Sequence, residues 1–288
     1  MNALAHTPDD LPVILERTDA AHMPAGGELA HWHDAVELVC VTRGRLRCQT
    51  NRETFLLSKG DVCFVNRQQV HHLMGAGGAE GDCVTLVIDT SLLAQSPRVF
   101  EAHVRPVLDD PAFAHVLLRA SHERAERIRA HVADVELMLR ERPHAFELEV
   151  MARCFQIFRQ LSCALAERDA APEPVDANLE TLRRMMAHVQ ERFAEDLRLE
   201  DIAAAGSVSK STCSRLFGRY TGRSPVAYLI DYRLEVAAAR LRETDDSLAA
   251  VAHACGFSQQ SYFNRMFLRA YGVTPGAYRR EAAGGERG

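Results

Sequence analysis

The chain has 288 residues, 47% of them hydrophobic and 25% charged, with a net charge of −5 and eight cysteines. That length gives room for two domains with cores of their own, and that balance excludes a largely disordered chain. No run of about 18 apolar residues is present, so no membrane-spanning helix is expected.

The opening MNALAHTPDDLPV has no basic stretch leading into an apolar core, which argues against a secretory signal. The cysteines are scattered, without a CxxC pair, and read as reduced, mostly buried thiols of a cytoplasmic protein. Charge is uneven along the chain. From Asn178 onward there are 16 Lys+Arg and 13 Asp+Glu, against 18 and 26 before it. An acidic first part joined to a mildly basic last part points to two jobs.

From about residue 11 to 90 the pattern is one of short strands. ELVCVTRGRLRCQT and ETFLLSKGDVCFVN are β-rich runs broken by Gly44, by Asn51-Arg52 and by Lys59-Gly60-Asp61. Turn signals at this spacing predict a small barrel or sandwich. Helical periodicity replaces it between about residues 98 and 165. Ile128, Val132, Val135 and Leu139 mark one helix; Leu148, Met151, Phe155, Phe158 and Leu165 mark a second, with Pro143 between them. The second helix is apolar around much of its circumference. It therefore buries two sides, against its own barrel and a second copy of the chain, or presents one wide face within the domain. Residues 166–178, AERDAAPEPVDAN, carry no periodicity and read as a linker between a first domain at 1–165 and a second at 179–288.

The second domain contains one layout twice. In LEDIAAAGSVSKSTCSRLFGRYTG (about 199–220), an Ala-rich helix ends near Gly206, Ser209 caps a second helix, and Thr221-Gly222 stops it. In SLAAVAHACGFSQQSYFNRMFLRAYG (about 248–271), Ser247 and Ser258 take the capping positions and Tyr271-Gly272 closes the segment. Helix, glycine-containing turn and second helix is the helix-turn-helix arrangement. Between the copies, a helix from Pro225 to about residue 243 keeps an apolar stripe through Leu229, Leu234, Ala237 and Leu241. About 18 residues at 1.5 Å each make a rod of roughly 27 Å. Such a rod suits two recognition helices set about one DNA turn, roughly 34 Å, apart.

These residues closely resemble the C-terminal signature of the AraC-type transcription regulators. The matching positions are Val251-Ala252, Gly256-Phe257, Ser261-Tyr262-Phe263, Arg265, Phe267, Gly272, Thr274-Pro275 and Tyr278-Arg279. RLFGRYTGRSP and YLIDYRLEVAAARL extend the match through the first unit. The departures are Val251 in place of the usual Ile, and Leu268 where a basic residue is common. The resemblance implies an all-α DNA-binding domain with two helix-turn-helix motifs, recognising double-stranded operator DNA. Lys210, Ser211, Ser214 and Arg215 would face bases from the first motif; Gln260, Ser261, Asn264 and Arg265 from the second. Arg grips guanine bidentately, and Asn or Gln does the same for adenine, so these side chains suit the task. Arg219, Arg223, Arg269 and Arg279 are better placed for phosphates. Leu216, Phe217, Phe263 and Phe267 recur at core spacing.

In the first domain, His31, His33 and Glu37 occupy alternate positions that an extended strand aims to one side. With Gly60 and His71 they resemble the two motifs of the cupin barrel, whose usual metal ligands are His, His, Glu and a later His. Asn66 and Gln68 depart from it, standing where Pro and Gly are usual, and His72 is an alternative to His71. AraC-type regulators often carry a cupin-like effector domain in this place. The reading is therefore a non-enzymatic regulator whose barrel binds a small-molecule effector, with His31, His33, Glu37 and His71 as pocket walls. Alternatives are a sensed or structural divalent metal (Zn, Fe, Ni or Mn), core packing, and a metal-dependent enzyme fused to a DNA-binding domain. A homodimer, and contact with RNA polymerase if the protein activates, complete the expectation.

Overall fold

A computed structural model describes residues 11–19, 27–76, 81–168 and 176–285; most of the predicted linker, and the opening segment read for a signal, lie outside them. The described residues form two compact units, one of residues 11–19, 32–76, 81–168 and 176, the other of residues 177–285 with 27–31.

The first unit contains two antiparallel sheets. One has the strand order β1 (Val13–Asp19), β7 (Asp82–Ile88), β2 (Val36–Arg43), β5 (Val62–Val65), β8 (His115–Leu118). The other runs β4 (Glu53–Ser58), β3 (Arg45–Thr50), β6 (His71–Gly75). Strand β2 is buried on both faces from Val36 to Val41, which explains its nearly continuous apolar run. Val36, Leu38 and Cys40 join one core with Phe64, Leu86, Ile88 and the helical residues Ile128, Val135, Cys154, Ile157 and Leu161. Alternation then turns Glu37, Val39 and Val41 toward the interior between the sheets. Helical turns α1 (Pro97–Val99) and α2 (Arg105–Asp109) precede two long helices, α3 (Glu123–Glu141) and α4 (Phe146–Ala166).

The helical stretch expected from residue 98 is interrupted. HVLL at 115–118 pairs with β5 in the register Val62↔Leu118 to Val65↔His115, because an apolar four-residue run beside an open sheet edge gains ladder hydrogen bonds there. Asn66, at the end of β5, anchors the connection. Its buried amide donates to the carbonyls of Val107 (2.8 Å), Leu108 (3.3 Å) and Phe113 (3.1 Å), and its Oδ1 accepts from Arg67 N–H. That accounts for an asparagine where the cupin pattern has proline, which has no such amide. Gln68 sits at φ +61, a conformation that favours the glycine usual there. The thiols are free, and all but Cys163 are buried; burial pushes Cys40 and Cys154 up to about 12, so they are inert fillers of the core.

The second unit is all helical: α5 (Ala177–Arg192), α6 (Leu199–Ala205), α7 (Lys210–Thr221), α8 (Pro225–Glu243), α9 (Leu248–Ala254), α10 (Gln260–Tyr271) and α11 (Pro275–Gly285). Local signals set most boundaries. Ser209 Oγ accepts from Thr212 N–H, Ser247 from Ala250 N–H and Ser224 from Ala227 N–H, each satisfying an N-terminal donor. Gly222 and Gly272 close α7 and α10 in the left-handed conformation. One cap differs from expectation: Gln259, not Ser258, precedes α10, and no side chain caps it. Phe263 and Phe267 are fully buried against Leu234, Ala237, Leu241 and Val251, and the Phe217 ring packs tilted against Tyr228, with centroids 5.3 Å apart.

Candidate nucleic-acid interface and polar cluster of the first unit

In both motifs the second helix buries one face and exposes the other. On α7, Cys213, Leu216, Phe217 and Tyr220 point inward, leaving Lys210, Ser211, Ser214 and Arg215 exposed together on one side. On α10, Phe263 and Phe267 are buried, and Gln260, Ser261 and Arg265 are exposed. Arg265 lies with its guanidinium 5.4 Å from the Tyr262 ring centroid, which limits its rotamers. Lys210 forms an ion pair with Glu200 on α6, a contact that a phosphate or base would have to displace. Asn264 behaves differently from its predicted partners: it is half-buried, and its Oδ1 is enclosed without a hydrogen-bond partner.

The predicted phosphate contacts divide likewise. Arg219 and Arg269 are exposed in the last turns of α7 and α10. Arg223 is exposed but paired with Asp231 at 3.2 Å. Arg279 is half-buried on α11, where its Nε–H donates to Leu241 O at 3.3 Å, so part of its side chain closes the end of α8.

In the first unit a turn, rather than a strand, joins His33 to Glu37, because β2 begins only at Val36. His33 Nδ1 contacts Ala35 O at 3.0 Å, and His33 Nε2 reaches Glu37 Oε2 at 3.2 Å. From the opposite sheet, His71 Nε2 reaches the same oxygen at 3.1 Å, while its Nδ1 contacts Gln69 O at 2.9 Å. All three side chains are buried. His31 Nδ1 contacts Leu29 O at 3.0 Å, and within the first unit His33, Glu37 and His71 each offer a ligand atom within 4.8 Å of the others. His72, the alternative, is not in this group; its neighbour His71 is.

Carbonyl oxygens only accept, so the proton of each neutral ring belongs on Nδ1 and the Nε2 lone pair faces the cluster. Two such lone pairs and a carboxylate oxygen then meet, which is repulsive unless a proton or a cation lies among them. Burial alone would lower the His71 pKa, but the charge and hydrogen bond of Glu37 outweigh it and hold His71 up at about 9. The donor set fits a borderline divalent cation: imidazole nitrogens and one carboxylate, each ring oriented by a backbone carbonyl behind it. A separate half-open cavity of about 400 Å³ lies along β8, lined by Phe113, Val116 and Leu118 with His122, Arg124 and Arg168.

Comparison with known proteins agrees with both parts. Residues 29–146 match the family model of the AraC-like ligand binding domain, and residues 202–281 match that of a helix-turn-helix domain. The chain is an AraC-type regulator. This regulator is 24% identical over 278 residues to the uncharacterized HTH-type transcriptional regulator YdeC of Bacillus subtilis, covering 96% of this chain and 94% of that one. It is 29% identical over 258 residues to the HTH-type transcriptional activator RhaS of Escherichia fergusonii, covering 88% of each. Its fold is similar to that of ToxT from Vibrio cholerae O395, with a TM-score of 0.54 at 13% identity over 95% of this chain and 99% of that one. It is therefore a DNA-binding transcriptional regulator with an N-terminal ligand-binding domain and a C-terminal helix-turn-helix domain. Among the described residues, no helix is long and apolar enough to cross a membrane.

Proposed function

We propose that this regulator is a cytoplasmic, non-enzymatic homodimer that reads an operator through α7 and α10 and adjusts that binding to a small-molecule effector held by its first unit. The observation that carries the reading is the pair of exposed polar faces, Lys210/Ser211/Ser214/Arg215 and Gln260/Ser261/Arg265, each mounted on a buried apolar face of its own helix. In this reading Arg215 and Arg265 grip guanine edges, Gln260 and Asn264 read adenine, and Arg219, Arg223, Arg269 and Arg279 set register on phosphates. Asn264 reaches a base only after its amide turns out of its enclosed position. Where the operator lies upstream of an activated promoter, RNA polymerase is the further partner.

Effector binding matters only through a difference in affinity between two states of the protein. The cavity beside β8 is within the size range of small-ligand sites, and ToxT, the fold relative, has been crystallised with an unsaturated fatty acid bound. Selection of bound duplexes from a random pool, followed by genome mapping of bound sites, tests the reading. The genes beside those sites identify effector candidates.

A second reading rests on the convergence of His33 and His71 on Glu37 Oε2. Here the first unit senses a divalent cation (Zn, Fe, Ni or Mn), with His31, His33, Glu37 and His71 as its ligands. Metal analysis of untagged protein purified without chelator decides it. Stoichiometric metal that disappears in His71→Ala, together with the DNA response, puts metal sensing first; metal-free protein with a normal DNA response excludes it.

A further inference from the structure

The turn between α5 and α6, residues 193–195, is gripped from two directions within the DNA-binding unit. From the middle of α8, Arg233 Nε–H donates to Phe193 O and its Nη2 donates to Glu195 O, both at 2.7 Å. The neighbouring Tyr232 ring meets the Phe193 ring edge-on at 5.4 Å. From the second helix-turn-helix, Gly256 lies against the same backbone. A Cβ added there would stand 2.9 Å from both Phe193 O and Ala194 O, and Gly256 has φ +78 besides. The next residue, Phe257, carries the Arg233 guanidinium 5.9 Å from its ring centroid.

Phe193 O is thus shared. It accepts from the linking helix, and it is the surface on which the turn of the second motif rests. The two helix-turn-helix units touch directly, at the backbone that leads into the first and the glycine turn inside the second. A rod joined to its two loads only at its ends would let them swivel at residues 221–224 and 244–247. A contact halfway along the rod, fixed by two hydrogen bonds and a site without room for a Cβ, removes that freedom.

We infer that the junction of Arg233, the 193–195 turn and Gly256 sets the spacing between the two half-sites that this regulator accepts on DNA. The inference rests on the proposed reading of DNA by both α7 and α10. One base pair inserted between half-sites moves the second by about 3.4 Å along the axis and turns it by about a tenth of a helical turn. A rigid junction resists that displacement and a loose one follows it. Arg233 acts here as a positioning residue, because it contacts no base in this scheme.

The test uses the full chain and a two-box operator obtained by selection from random duplexes. Affinity is measured for the selected spacing, for spacings one base pair longer and shorter, and for a duplex carrying a single box. The wild type is expected to prefer its own spacing by at least about tenfold. Arg233→Lys keeps the charge but loses the paired donors; it should bring that ratio to within about threefold while leaving single-box affinity within twofold of wild type. Gly256→Ala should do the same where it folds. An unchanged spacing ratio in Arg233→Lys overturns the inference, as does an equal loss on every duplex or a wild type indifferent to spacing. A wild type that selects no duplex, or only single boxes, fails the underlying DNA reading instead.

Discussion

His71 Nε2 and Glu37 Oε2 approach to 3.1 Å across the gap between the two sheets, a contact expected to make the stability of the first unit depend on pH. The His71 pKa is raised from 6.5 to about 9 in the folded protein, with Glu37 overcoming the opposing effect of burial. A raised folded-state pKa means that the pair's contribution is complete below pH 6.5 and disappears as pH rises through about 9. Metal-free protein should therefore lose denaturant resistance across that window. Glu37→Gln should flatten this part of the profile and bring the His71 ring titration, followed by NMR, below 6.5. A His71 titration near 6.5 in the wild type contradicts the account.

Arg265→Ala should weaken binding to the selected operator by about 1–3 kcal/mol and relax preference at one or two base pairs. Arg219→Ala should lower affinity on all duplexes alike and reduce the slope of log K against log salt by about 1. Quantitative gel-shift or anisotropy titrations separate the two patterns. Equal behaviour of the two variants would remove the division between base and phosphate contacts.

Asn66 donates through one buried amide to three backbone carbonyls. Asn66→Ala should cost about 2 kcal/mol or more in stability by leaving buried acceptors unpaired. Denaturant midpoints of the full chain measure it. Operator affinity of the protein that remains folded should be unchanged.

Leu148 is 68% exposed on α4, and Phe155 lies on the same side two turns on, only partly covered by the core. In the homodimer reading this stripe meets a second copy. Leu148→Glu should shift sedimentation at micromolar concentration from dimer to monomer. A wild type that sediments as a monomer, with or without DNA, contradicts that assignment.

What the sequence made legible follows from range. Ser209, Ser247, Pro225, Gly222 and Gly272 act within one helical turn of their own positions, so caps and stops place α7, α8 and α9 directly. The paired aromatic residues of α10 show in its period for the same reason. By contrast, β8 forms because an open edge of β5 lies beside it, and Asn66 earns its place through carbonyls more than 40 residues away. Neither leaves a local trace. The polar cluster stands between these cases. Its residue types and order are visible in the chain, but only Glu37 and His71 lie on strands, and the orientation of each ring depends on a backbone carbonyl that composition does not reveal. The enclosure of the Asn264 carboxamide, expected instead to face a base, is likewise set by packing around α10 rather than by helical period.

The most direct measurement is equilibrium binding of the full chain to a random duplex pool across a salt series, followed by sequencing of the bound fraction. The account predicts enrichment of duplexes with two boxes at one fixed separation, with log K falling steeply as salt rises, at about −0.9 per neutralised phosphate. A well-folded protein that enriches no sequence, even at low salt, would contradict it.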